Sequence, residues 1–224
     1  MLRGPRNVTL RPAPAPPRPR ADGYHEAVTS ASLHQPVTVD AWMAAVDRYG
    51  FAEVVDGRLV IVDEQERALA SDNRHDVVAR RLANALEAAW GLPASAPTRW
   101  QLRGREGSVV TGRVPDVLVG DDTFLQPGPF VGHPILVGEV WSPSNTFGEI
   151  TRKRREYYEA GAQAMVEAWV DDTGTVWMSW FIRVPSPQRW LLHASAAGPT
   201  ELVVELPRPF RAFPDHLLRL PTPR

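Results

Sequence analysis

Two apolar runs in the middle of this chain each carry one carboxylate, and that pattern constrains the fold more than any other feature. SVVTGRVPDVLVG, residues 108–120, and HPILVGEVWSP, residues 133–143, are rich in β-branched residues and bounded by glycine and proline. Runs of this kind read as strands. Asp116 stands in Val114-Pro115-Asp116-Val117, and Glu139 in Val137-Gly138-Glu139-Val140-Trp141. Burying a carboxylate without a partner is costly, so each requires a cation, a metal or a strong donor beside it. A structural ion pair would satisfy either acid alone. Two such acids on successive strands favour a metal.

The segment that follows supplies a cation. Thr146 and Glu149 have the Thr-x-x-Glu spacing of a capping box, which predicts a helix from about Phe147 to Ala160 with Gly161 as its stop. Lys153 and Tyr157 lie one turn apart on a shared face, while Arg152 and Arg155 point elsewhere. If this helix packs on the sheet, Lys153 reaches back over Glu139. It is the only lysine in the sequence, beside 24 arginines. Arginine is a permanently charged planar fork, whereas lysine is a compact charge whose pKa can move on burial. The plain alternative is a solvated charge on a basic helix face.

Upstream, Thr38 is placed to cap a helix through Tyr49, with Trp42, Val46 and Tyr49 on one stripe and Gly50 as the stop. FAEVVDGRLVIV then reads as a hairpin around Asp56-Gly57, with Glu53 near its start. From Ser71 to Trp90, the residues Val78, Leu82, Ala85, Leu86, Ala89 and Trp90 recur at helical spacing, ended by Gly91 and Pro93. His75 falls in the first turn, where it reads most simply as a partly exposed histidine. Downstream, AMVEAWV and TVWMSWFIRV flank a turn at 171–174, and RWLLHAS and ELVVELP suggest two more strands. Trp169, Trp177, Trp180 and Trp190 are expected in the core.

Composition narrows the function. At 224 residues and 43% apolar, the chain can bury a substantial core, most simply one domain over 36–224. Residues 1–35 form a proline- and arginine-rich tail expected to be extended and disordered. The absence of cysteine removes disulfides, thiolate catalysis and cysteine-based zinc sites. Neither a membrane span nor a signal peptide is indicated, so a cytoplasmic protein is expected. The formal net charge of −1 divides into +4 over residues 1–22 and −5 over the remainder. An acidic body argues against general DNA coating, which depends on neutralising many phosphates. Any nucleic-acid role is therefore local, metal-assisted, or both.

RVPDVLVG, PILVGEVWSPSN and EITRKRREYYEAG together resemble the Uma two family of candidate endonucleases, in the restriction-endonuclease-like superfamily with PD-(D/E)XK active sites. The resemblance runs from VTVDAWMAAVDRYGFAEVVDGRLVIV through SDNRHDVVARRL to FPDHLLRL, leaving only the N-terminal tail outside it. It implies an α/β (α+β) restriction-endonuclease-like core, with a central mixed β-sheet flanked by helices. It implies Asp116 and Glu139 as ligands of Mg2+ or Mn2+, with Glu53 and His75 at further active-site positions and DNA as substrate. In the simplest superfamily pattern the lysine lies two residues after the glutamate, where this chain has Trp141; the family-like arrangement supplies Lys153 from the following helix. Lys153 would position the attacking water, accept its proton if its pKa is depressed, or offset negative charge. The superfamily often pairs subunits to cut both strands, which leaves a homodimer open. Glu149 stands where the family usually has aspartate, and AMVEAWVDD lacks the tyrosine-tryptophan pair that the family has on this strand.

Overall fold

The structure is a computed structural model and describes residues 37–49, 51–61, 73–95, 98–105, 107–121, 123, 126–143 and 145–219. The expected tail over 1–35, the stop at Gly50 and the helix start at Ser71 lie outside the described residues.

The acid-bearing runs form strands, as their β-branched content predicts. The first does not stay in one sheet. Pro115 has no N–H to give a ladder, and the run divides around it into β6 (Ser108–Arg113) and β7 (Val117–Val119). The two halves join different sheets. The expected mixed α+β architecture with a central mixed sheet between helices is present, and among the described residues it is accompanied by a second large sheet and a two-stranded ribbon.

The first sheet is built from β1 (Val37–Thr38), β2 (Ala52–Val55), β3 (Arg58–Ile61), β5 (Trp100–Arg105) and β6. The β2–β3 turn places Asp56 at φ 50° and Gly57 at φ 75°, the conformations for which this residue pair is suited. Helix α1 (Val39–Tyr49) covers this sheet, and Thr38 Oγ1 accepts the Ala41 N–H at 3.1 Å. Trp42, Ala45 and Val46 are buried, and a Cβ on Gly112 of β6 would lie 2.7 Å from the Trp42 ring. Tyr49, expected on the buried stripe, is 37% exposed with Arg48 over its ring. β5 was not anticipated, because WQLRGR has no β-branched residue and its short alternation ends at Gly104.

The second sheet is mixed, in the order β11 (Arg189–Ala197), β10 (Val176–Val184), β9 (Ala164–Val170), β8 (Leu136–Trp141), β7 and β4 (Ala94–Ser95). β8 and β9 run parallel and the other pairs antiparallel. Helix α2 (Asn73–Trp90) packs on one face, placing Val78, Leu82 and Leu86 against Val117, Val140 and Val166. Helix α3 (Phe147–Glu159) lies on the other, where Ile150 and Tyr157 join Val137, Trp141 and Met165. Thr146 Oγ1 accepts the Glu149 N–H at 3.2 Å, as the capping spacing predicts. A ribbon of β12 (Leu202–Val204) and β13 (Phe210–Ala212) and the short helix α4 (Pro214–Leu218) close the α2 side. Trp180 and Trp169 are buried as expected, whereas Trp177 and Trp190 are only partly so. No described helix is long and apolar enough to cross a membrane.

Candidate active site

Strand register brings the two acids together. β7 and β8 pair antiparallel with Val117 opposite Gly138. Continuing that register by one residue sets Asp116 opposite Glu139 on the same face, because directly paired residues share a side of the sheet. The geometry agrees: Asp116 Oδ2 accepts the backbone N–H of Val140 at 2.7 Å. Asp116 remains 17% exposed, while Glu139 is only 2% exposed.

Helix α3 lays its cation over this pair. Lys153 Nζ lies 3.2 and 3.3 Å from the two Glu139 oxygens, and Tyr157, one turn on, donates its hydroxyl to Glu139 Oε1. Lys153 Nζ also sits 3.8 Å from Glu53 Oε1 and 5.6 Å from the centre of the Trp141 ring. From α2, His75 Nε2 approaches Asp116 Oδ2 to 3.2 Å. All five residues singled out from sequence, Glu53, His75, Asp116, Glu139 and Lys153, therefore belong to one cluster.

The cluster extends to residues that sequence reading passed over. Arg113, at the end of β6, is 1% exposed and grips two carboxylates. Its Nη1 donates to Glu53 Oε2 at 2.6 Å, while Nε and Nη2 donate to the two oxygens of Glu156 at 2.7 and 3.0 Å. Glu53 Oε1 takes the Val114 N–H at 3.2 Å. On the next strand, Glu167 is buried and held by Arg154. The signals were present. Arg113 shares a face of β6 with buried Val109 and Thr111, Glu156 follows Lys153 by one helical turn, and Glu167 interrupts AMVEAWV as Glu139 interrupts its own strand.

Charge is not balanced evenly. Burial raises the pKa of Glu139; Lys153 opposes this, Asp116 adds to it, and the net result is pushed up to about 8. Burial acts the same way on Asp116, but His75 and Lys153 outweigh it and hold the carboxyl below its usual range. Glu53 is likewise lowered despite burial, by Lys153 and Arg113. Burial disfavours the His75 imidazolium, yet Asp116 and Asp76 raise its pKa to about 9. Burial also disfavours the Lys153 ammonium, but Glu139 and Glu53 more than offset this and lift it above the ordinary lysine value. Of the three roles left open for Lys153, proton acceptance is the one these surroundings oppose.

The donor set suits an open cation site and not a closed one. Among the described residues, no group of three or more His, Cys, Asp or Glu side chains converges on a single metal position. Asp116 and Glu139 are two hard oxygen donors on one face of the sheet, and the nearness of Asp116 adds to the raised pKa of Glu139. Magnesium uses oxygen ligands and keeps several waters, so one or two protein carboxylates suffice when a phosphate supplies the rest.

No protein-family profile matches this chain, and no curated protein matches it in sequence. Among solved structures, it is similar to a candidate nuclease belonging to DUF820 from Anabaena variabilis ATCC 29413, at 16% identity and a TM-score of 0.49, over 77% of this chain and 90% of that one. A likeness at that level fixes neither a site nor a substrate, which rest on the side chains above.

Proposed function

We infer that the protein is a metal-dependent endonuclease of the restriction-endonuclease-like type, a member of the Uma two family with a rearranged PD-(D/E)XK site. The observation that carries this reading is the cross-strand pairing of Asp116 and Glu139 with Lys153 Nζ 3.2 Å from Glu139. Asp116 and Glu139 would hold Mg2+ or Mn2+. When bound, such an ion activates a water and stabilises negative charge on a phosphoryl group.

The protein's own groups have distinct tasks in that scheme. Asp116 is oriented by the Val140 N–H and by His75, which holds one carboxylate oxygen in place. Glu139 is fixed by Lys153 and Tyr157 from the helix above. Lys153 is favoured in its charged form, so its part would be to position the attacking water or to offset charge developing on the phosphate, not to take a proton from water. Glu53 and Arg113 set the position of Lys153 from the first sheet. The substrate is DNA in this reading, and the active unit is one chain or a homodimer that cuts both strands.

A second reading is a non-catalytic module of the same fold that binds nucleic acid or a protein. The near-complete burial of Glu139 under Lys153 favours it, since the pair already satisfies itself. The two readings separate in one experiment. Isothermal titration of magnesium or manganese into wild type and Glu139→Ala is paired with nicking of supercoiled plasmid. The nuclease reading expects both metal binding and nicking in wild type and neither in the variant. A wild type without either would transfer the argument to the binding module.

A further inference from the structure

The three adjacent strands β7, β8 and β9 carry a row of carboxylates on the face under α3. Asp116 lies opposite Glu139 by continued register, and Glu139 is paired with Glu167. The row continues as Ser179 opposite Glu167 and Ser195 opposite Ser179, reaching the edge strand β11. Its cover thins from Glu139 toward β11, while at the other end Asp116 keeps 17% exposure. Glu139 and Glu167 are buried, Ser179 is half-buried and Ser195 is exposed.

At the point where this row begins to open stands Arg154, next in sequence to Lys153. Nε and Nη2 each donate to a different Glu167 oxygen at 2.5 Å, and the guanidinium lies 5.4 Å from the Phe181 ring centre. This side-on grip uses one edge of the fork. Among the described residues, Nη1 makes no hydrogen bond, and the side chain is 35% exposed while Glu167 is 1% exposed. The carbonyl of Arg154 accepts the Trp190 indole N–H at 2.8 Å, so its backbone is fixed as well. A buried acid and an aromatic ring thus hold an arginine in one orientation, with donors facing solvent one strand away from Glu139.

We propose that Arg154 is a substrate-binding residue that contacts a backbone phosphate of the nucleic acid flanking the scissile one. Guanidinium is suited to phosphate oxygens through paired N–H donors, and a preorganised fork loses less rotamer freedom on binding than a mobile one. Two neighbouring cations on α3 then divide the work. Lys153, buried on Glu139, serves the reacting group; Arg154, partly exposed on Glu167, holds the chain leading away from it. This assignment rests on the nuclease reading for the position of the scissile phosphate.

The test compares wild type with Arg154→Met/Glu167→Gln, in which one positive and one negative charge are removed together. Net charge is preserved and no lone carboxylate is left in the core, so the double variant is expected to melt near the wild type. Binding to a short labelled duplex is measured by fluorescence anisotropy in chelator over a salt series, alongside plasmid nicking in magnesium. The expected result is affinity about tenfold weaker. The slope of log affinity against log salt should fall by about 0.9, the value of one phosphate contact on duplex DNA. KM for nicking should rise more than kcat falls. Arg154→Lys should recover part of the salt slope, and Arg155→Gln, altering an exposed neighbour, should leave affinity nearly unchanged. A folded double variant with wild-type affinity and slope overturns the assignment while leaving the nuclease reading intact. A wild type that neither binds nor nicks DNA overturns both.

Discussion

Arg113 illustrates how a buried charge network differs from a set of independent pairs. It is almost wholly enclosed and bonds to both Glu53 and Glu156, so removing it leaves two carboxylates in the core beside Glu139. Breaking a buried pair in this way is far more damaging than replacing both partners. Arg113→Ala is expected to lose about 3 to 5 kcal/mol of stability in urea unfolding. Arg113→Met/Glu156→Gln should recover a large part of that loss; equal destabilisation in both variants would show that packing, not charge, dominates. Glu139 has the opposite character. Its raised pKa means that the ionised form is disfavoured in the fold, so Glu139→Gln should melt above wild type at pH 8 in chelator while binding no magnesium. An unchanged or lower melting temperature would contradict the electrostatics described for that position.

At the scale of elements, α3 is the part that assembles the site, since it brings Lys153, Arg154 and Tyr157 onto the strand carboxylates Glu53, Glu139 and Glu167, and Glu156 onto Arg113 at the end of β6. Its ends must therefore be fixed. Gly161 follows the C-cap residue Ala160 with φ 90°, and a Cβ there would run into the His133 ring, which bonds to the Ala160 carbonyl at 2.6 Å. Gly161→Ala is expected to cost more than about 1 kcal/mol and to weaken magnesium binding through displacement of the helix. A variant with lowered stability and unchanged metal affinity would separate the cap from the site. The helix itself was legible, because its capping box, apolar face and terminal glycine agree. The acid-bearing strands were also legible from their composition. Other features depended on long-range pairing. The division at Pro115 was hidden, because a continuous β-branched run does not reveal that its halves join different sheets. The Arg113–Glu156 bond joins residues 43 positions apart and was equally out of reach. Lys153, by contrast, stood out through composition, its helical phase allowed it to reach Glu139, and the family resemblance gave it a place in the site.

The whole molecule holds two sheets together through a charged seam, and the protonation of that seam makes stability depend on pH. Glu139 and His75 bind protons more tightly in the folded chain than in the unfolded one, with pKa values of about 8 and about 9 against ordinary values of 4.5 and 6.5. A raised folded-state pKa contributes stability that is present at low pH and lost as pH climbs through the shifted value. Asp116 and Glu53 act oppositely, since their lowered pKa values add stability that is already complete above the ordinary carboxylate range. Between neutrality and pH 9 the first pair therefore governs, and Lys153, raised in pKa, stays charged throughout. In chelator the melting temperature should fall steadily across that interval. Magnesium, held by the ionised carboxylates, should reverse the trend by adding most stability where Glu139 has lost its proton, growing with the logarithm of ligand concentration over the dissociation constant. The two melting curves should diverge with rising pH in wild type and coincide in Glu139→Gln. Parallel curves in wild type would mean that the cation does not use Glu139, and the assignment of Asp116 and Glu139 as a shared metal site would fall with it.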